Sequence, residues 1–227
     1  MLRLRLTLGA IVQVVSFSCF LLLPAGTLHW WRAWVFLGVV YAASAASMFS
    51  LYRSSQALLQ ERIKPPIQKG QPLGDRIVLL LFVAEFYALL VLISLDVFQF
   101  HLLPVPGAVI SSLGLVLFVG GWIVLHLSLR ENTFAASVVR HQEERDHMVI
   151  GTGVYGIVRH PMYAGGLLLL VGMPLWLESY AATVFAIVPI ATLAVRIVIE
   201  ERFLRRELKG YEAYVAEVPY RLIPFLW

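Results

Sequence analysis

Six apolar stretches, over residues 6–23, 33–52, 77–95, 107–129, 162–177 and 180–199, constrain this chain more than any other feature. A bilayer's hydrocarbon core needs roughly 20 apolar residues in a helix, at about 1.5 Å rise per residue. The first four stretches meet that length without difficulty. The fifth is short and holds Pro174; the sixth holds Pro189 and Arg196, so kinks or a hairpin are expected there. The pattern predicts an all-α integral membrane protein of five or six transmembrane helices. Charged residues make up only 14% of the 227, against about 25% in a typical soluble domain. That shortfall is expected of a surface facing lipid.

Charge placement orients the spans. The segments before the first, between the second and third, between the fourth and fifth, and after the sixth stretch carry nearly all the Lys and Arg. Arg32 alone, of 18 such residues, falls on the other side. By the positive-inside rule both termini lie in the cytosol. The +4 net charge therefore reads as orientation, with no nucleic-acid partner implied. Residues 1–27 have a basic start and an apolar middle but no small-x-small cleavage site, and read as an uncleaved helix. The single cysteine, Cys19, allows no internal disulfide.

The chain is read as a single membrane domain over 1–227, with four N-terminal helices in 1–129 and a cofactor-binding, catalytic half in 130–227. Residues 53–76 read as a solvated connector whose cations meet lipid headgroups. The polar material around the last two stretches is different. A helical hairpin returns the chain to one face, so 130–161 and 196–227 can converge on a cytosolic pocket.

Gly151, Gly153 and Gly156 match a dinucleotide-binding fingerprint, but no strand precedes them and a membrane helix follows, so tight turns are the better account. Pro161 suits the first turn of a helix. His160 and Tyr163 then sit beside free backbone donors, a place fit for a carboxylate or ribose hydroxyl, and equally fit for an interfacial anchor. Arg196 and Glu200 share a helix face, and an arginine within an apolar run marks a functional site with Glu200 as its expected partner. Glu201 lies about 100° round the helix. Glu85 and His126 read equally as interhelical polar contacts. His141 and His147 are too loosely spaced for zinc, and no metal is expected.

The stretch 147–165, HMVIGTGVYGIVRHPMYAG, resembles a signature of isoprenylcysteine carboxyl methyltransferases and their bacterial relatives. Glu200-Glu201, LKGYEAY over 208–214 and VPYRLIP over 218–224 resemble that family's C-terminal block. The resemblance covers roughly residues 125–227 and implies S-adenosylmethionine bound without a Rossmann domain. It places cofactor contacts on His147, Met148, Val149, Ile150, Tyr155, His160, Pro161, Met162, Tyr163 and Glu200. Arg140 falls where a family enzyme has a polar cofactor contact, and Arg196 where the family has a substrate-orienting arginine. Arg196 and Glu200 are thus the catalytic candidates. The implied acceptor is a lipophilic molecule or lipidated protein entering from membrane lipid, with Gly165, Gly166 and Gly172 leaving room. The membrane is the plasma membrane of a bacterium or the endoplasmic reticulum of a eukaryote. The segment 141–146 is charged here and differently composed in the prenylcysteine enzymes. Three other readings stand beside this one: phospholipid amine N-methylation, an NADPH-dependent enzyme like sterol reductases, and a non-enzymatic membrane protein.

Overall fold

The computed structural model describes residues 2–140, 142 and 145–227, without the side chain of Arg3. Among these residues every regular element is helical. In order they are α1 (Leu2–Ala25), α2 (Trp31–Ser54), α3 (Gln56–Arg62), α4 (Leu73–Leu95), α5 (Ala108–Glu131), α6 (Pro161–Trp176), α7 (Tyr180–Phe185), α8 (Ile187–Glu207) and α9 (Tyr211–Glu217). A π-turn, Asp96–Phe100, extends α4. Five stretches are long and apolar enough to cross a membrane: Leu4–Ala25, Trp31–Ser54, Leu73–Phe100, Ala108–Glu131 and Tyr180–Glu207. The protein is a multi-pass membrane protein. The sixth apolar helix, α6, has 16 residues, about 24 Å of rise. Leu4, Val12, Val109, Val116 and many other large apolar side chains are exposed. Such coverage suits lipid contact and would be a liability in water.

The kink expected near Pro189 falls at Ala186, between α7 and α8. Proline at 189 has no N–H to give and its ring crowds the carbonyl four residues back, that of Phe185. Ser179 caps α7 by accepting from the Ala182 N–H at 3.0 Å. Its hydroxyl donates to Asp96 Oδ2 at 2.6 Å, tying this end to the end of α4.

The closest helix pair is α5 with α6. A Cβ on Gly114 would lie 2.6 Å from the Trp176 nitrogen; one on Gly121 would lie 2.7 Å from the Gly165 oxygen. From the other side, a Cβ on Gly165 would meet the Gly121 oxygen at 2.8 Å, and one on Gly172 the Phe118 nitrogen at 2.5 Å. Two glycines on each helix, seven residues apart, thus let two backbones touch, the small-residue packing that membrane helices use. This corrects the expectation that Gly165 and Gly172 leave room for an acceptor: α5 occupies that space. Gly166 faces Leu193 at ordinary contact distance.

Around this pair a core of Leu21, Phe36, Leu89, Leu90, Ile93, Phe118, Leu170, Met173, Leu177 and Ile197 joins α1, α2, α4, α5, α6 and α8. His126 bonds Ser47 at 3.1 Å and Thr192 donates to Glu85 at 2.9 Å, both between helices. Leu6 of α1 packs beside Leu58, Leu59 and Leu129, while Leu222 of the C-terminal segment joins the main core. At the opposite end Arg32 pairs with Glu178 at 3.1 Å and its guanidinium lies over the rings of Trp31 and Trp176.

Gly172→Ala and Gly165→Ala are expected to destabilise the protein by about 1–3 kcal/mol each through overpacking. Gly38→Ala, whose Cβ would meet nothing within 4 Å inside α2, is expected to be neutral or to stabilise by up to about 1 kcal/mol, alanine being the better helix former. Unfolding of the three variants in one detergent, followed by circular dichroism, checks the contrast.

Candidate functional site

Where α5 ends and α6 begins, the connecting chain folds over the bundle and meets the last turns of α8. The result is one cavity of about 310 Å³. Its walls come from Asn132 and 134–140, from His147, Val149, Ile150 and Tyr155, and from Arg159, His160, Met162 and Tyr163. Arg196, Glu200 and Leu204 of α8, Tyr211 and Tyr214 of α9, Arg62 of α3, and Leu79, Phe82 and Val83 of α4 complete it.

Local sequence explains how these groups arrive. Pro161 occupies the first turn of α6, as expected, and His160 just before it is buried. Gly153 has φ +56° and a Cβ there would lie 2.8 Å from the Glu131 side chain. The glycine string therefore forms a tight turn, Gly153–Gly156, with Tyr155 turned inward and, among the described residues, no strand before it. The Arg159 N–H donates to the Tyr220 carbonyl and the His160 N–H to that of Arg221, both at 2.9 Å, laying the C-terminal segment along the start of α6.

Glu201 anchors this junction. Its Oε1 accepts from Arg159 Nε at 2.8 Å and lies 3.2 Å from His160 Nε2, and its Oε2 accepts from Arg221 Nε at 2.9 Å. Glu200 faces the cavity instead, where its Oε2 accepts from the Tyr163 hydroxyl at 2.6 Å. The 100° between neighbours on a helix gives the two acids different surroundings. Tyr214 donates to the Tyr155 carbonyl at 2.7 Å. Burial raises the Tyr155 and Tyr211 phenols and pushes Tyr214 up to about 12, so these walls stay neutral near pH 7.

Arg196 does not pair with Glu200. Its Nε donates to Asp75 Oδ1 at 2.9 Å and its Nη2 to the Ser137 carbonyl at 2.7 Å. Asp75 is 0% exposed, and its Oδ2 also accepts from Gln71 Nε2 at 2.6 Å and the Val139 N–H at 3.1 Å. A carboxylate fixed by three donors outcompetes one four residues along the same helix. Arg140 pairs with Glu61 at 2.8 Å, and Lys64 meets the same carboxylate at 2.5 Å. Burial alone would raise Glu61, but hydrogen bonds and charge from Lys64 and Arg140 hold it below the usual carboxylate range.

Of the residues expected at the site, His147, Val149, Ile150, Tyr155, His160, Met162, Tyr163, Arg196, Glu200 and Arg140 line the cavity. Met148 points outward, 61% exposed, and Pro161 is buried at the helix start, off the cavity wall. His141 lies outside the described residues, as do 143 and 144 of the charged stretch. Among the described residues no cluster suits a metal. Residues 53–76 are not merely a solvated connector: Leu58, Leu59 and Glu61 are buried and Arg62 reaches the cavity. Helix α4 also begins at Leu73, so Asp75 sits in its first turn. An acid just after Pro72 is an ordinary helix-start signal; nothing in the sequence said it would meet Arg196.

Residues 109–210 match the family described as phospholipid methyltransferase. The chain is 30% identical to protein-S-isoprenylcysteine O-methyltransferase B of Arabidopsis thaliana, over 61% of this chain and 74% of that protein. Its A counterpart from the same plant is also 30% identical, over 56% and 67%. A probable protein-S-isoprenylcysteine O-methyltransferase of Oryza sativa subsp. indica is 33% identical, over 52% and 62%. The chain belongs to the isoprenylcysteine O-methyltransferase family. The 109–210 match runs from α5 to the start of α9 and so holds most of the cavity, while Arg62 and Asp75 precede it.

In this member of the family the Arg196–Asp75 pair is a demanding one, because breaking a buried pair strands a charge. Asp75→Ala is expected to cost about 3–5 kcal/mol of stability, and Asp75→Ala with Arg196→Met to recover part of it. Thermal unfolding of the single and double variants in detergent measures both.

Proposed function

We propose that this chain transfers a methyl group from S-adenosylmethionine to the carboxylate of a lipophilic, isoprenylcysteine-type acceptor, within the cavity at the cytosolic end of the bundle. One observation carries the reading: a single cavity gathers Glu200, Tyr163, His160, Tyr155 and His147 from segments far apart in sequence. Near-exclusive placement of Lys and Arg at that end supports a cytosolic position for it and for both termini. Its volume is within the range of small-molecule sites.

The residues fit the cofactor. Glu200, held by the Tyr163 hydroxyl, gives the wall an anionic group for a cationic ligand. Phe134 and His147, with ring centroids 4.7 Å apart, and Tyr155 offer flat faces to an adenine. Val149, Ile150 and Met162 add apolar contact. Met148 and Pro161 stand off the cavity wall, and Pro161 acts by opening the first turn of α6, which carries Met162 and Tyr163. S-adenosylmethionine, when bound, supplies a methyl group on a positively charged sulfur. The protein's share is to bind, orient and exclude water, and good orientation is worth several kcal/mol. The half of the chain from 130 onward then holds most of the cofactor and catalytic groups.

The arrangement favours a carboxylate acceptor over an amine. A carboxylate is already ionised at pH 7, whereas an ammonium must first lose a proton to a base. Glu201 is occupied by Arg159, His160 and Arg221, and Glu200 by Tyr163. Glu201 is therefore closed as a base, and Glu200 faces the site of the cationic cofactor. An acceptor with a greasy tail reaches this cavity from membrane lipid, past the apolar Leu79, Phe82 and Val83 of α4.

Detergent-purified protein is expected to bind S-adenosylhomocysteine in a calorimetric titration. Tyr163→Phe should weaken binding roughly tenfold, the worth of a hydrogen bond to a charged group. His160→Ala should also weaken it, while Arg196→Ala lowers turnover of a prenylated cysteine more than cofactor affinity. A folded wild type that binds nothing at millimolar cofactor would remove the assignment.

A further inference from the structure

Four arginines line the cavity: Arg62, Arg140, Arg159 and Arg196. Three are matched by carboxylates, Arg140 by Glu61 at 2.8 Å, Arg159 by Glu201 at 2.8 Å and Arg196 by Asp75 at 2.9 Å. Arg62 differs. Its Nη1 donates to the Ala135 carbonyl at 2.9 Å and lies 4.0 Å from Met162 Sδ. Among the described residues no carboxylate answers it. Its backbone carbonyl accepts from Ser137 at 3.5 Å, so α3 is fastened to the cavity wall and the side chain is carried in with it.

An arginine stays charged in a protein, and it offers five donors in a fixed fork that matches a carboxylate. Burial lowers the Arg62 pKa from its ordinary value, the mark of a cation short of solvent. A partly buried cation given only a neutral carbonyl and a thioether has unmet hydrogen-bonding capacity, and a ligand anion is what would meet it. Arg196, the cation expected to orient the acceptor, is already neutralised by Asp75 and is held on two nitrogens.

We infer that Arg62 is the carboxylate-binding residue of the cavity, taking a ligand carboxylate in the fork that no protein acid fills. The inference rests on the methyltransferase reading. It also deepens it, because α3 lies outside the segment 109–210 matched by the phospholipid methyltransferase family. Two ligands bring such a group: the acceptor, through the carboxylate to be methylated, and the cofactor, through its amino-acid end. The chemistry is shared and the two sources are separable.

The test is a binding matrix for wild type, Arg62→Gln and Arg62→Lys. The four probes are S-adenosylhomocysteine, 5′-methylthioadenosine (which lacks the amino acid), a prenylated N-acetylcysteine and its methyl ester. Arg62→Gln is expected to weaken one carboxylate-bearing probe tenfold or more, leave its uncharged counterpart within twofold, and be partly rescued by Arg62→Lys. Selective loss of the S-adenosylhomocysteine probe assigns the subsite to the cofactor, and selective loss of the free acid assigns it to the acceptor. Equal weakening of charged and uncharged probes, or no change in any, overturns the inference while leaving wild-type binding intact. If Arg62→Gln does not fold, Arg62→Lys decides alone. A several-fold selective loss there supports the fork, because an ammonium cannot replace it, and unchanged affinities refute it. A wild type that binds none of the four counts against the methyltransferase reading itself.

Discussion

The contact of α5 and α6 through Gly114, Gly121, Gly165 and Gly172 is the constraint on which the rest of the molecule depends. Two backbones in touch leave no freedom in how the end of α5 faces the start of α6. The 29 residues between Glu131 and Pro161 must therefore close over a fixed gap. All of 132–163 that lines the cavity hangs from this hairpin. Lipid gives helices little hydrophobic reason to associate, so close packing of small residues carries much of the association.

Charge is the second organising element. Asp75, Glu201 and Glu61 are buried, and each is matched by guanidinium or ammonium groups from other parts of the chain. Such pairs contribute little net stability but punish any arrangement that separates them. Asp75 with Arg196 joins α4 to α8, and Glu61 with Arg140 joins α3 to the segment before the cavity. Glu201 joins α8 to both the start of α6 and the C-terminal segment. Glu200 stands apart from this scheme: among the described residues only the Tyr163 hydroxyl is bonded to it, and the cavity lies before it.

The helices were legible because a bilayer sets a length scale that apolar runs either reach or miss. The short α6 and the bend before Pro189 were legible for the same reason, from length and proline chemistry. The convergence of 130–161 with the end of α8 followed from hairpin topology. What stayed hidden was pairing across the chain. Helix periodicity brings Arg196 and Glu200 to one face, but it cannot reveal that Asp75, 121 residues away, holds that arginine with help from Gln71 and Val139. Residues 53–76 looked like a solvated loop because their polarity is real. Their burial depends on α3 docking through Leu58 and Leu59 against Leu51 and Leu129. The glycines of α6 misled in the opposite sense, since an absent side chain looks like open space until a neighbouring backbone fills it.

The brevity of α6 has a geometric outcome of its own. At about 24 Å it falls short of a hydrocarbon core of roughly 30 Å. Its far end is tied by Trp176 and Arg32, which exchange hydrogen bonds at 3.0 Å. The deficit is then taken up at the end where His160 and Pro161 stand. Under the proposed function, a cavity that opens where so short a helix begins lets a lipophilic tail stay among acyl chains while its polar head meets Glu200 and Tyr163.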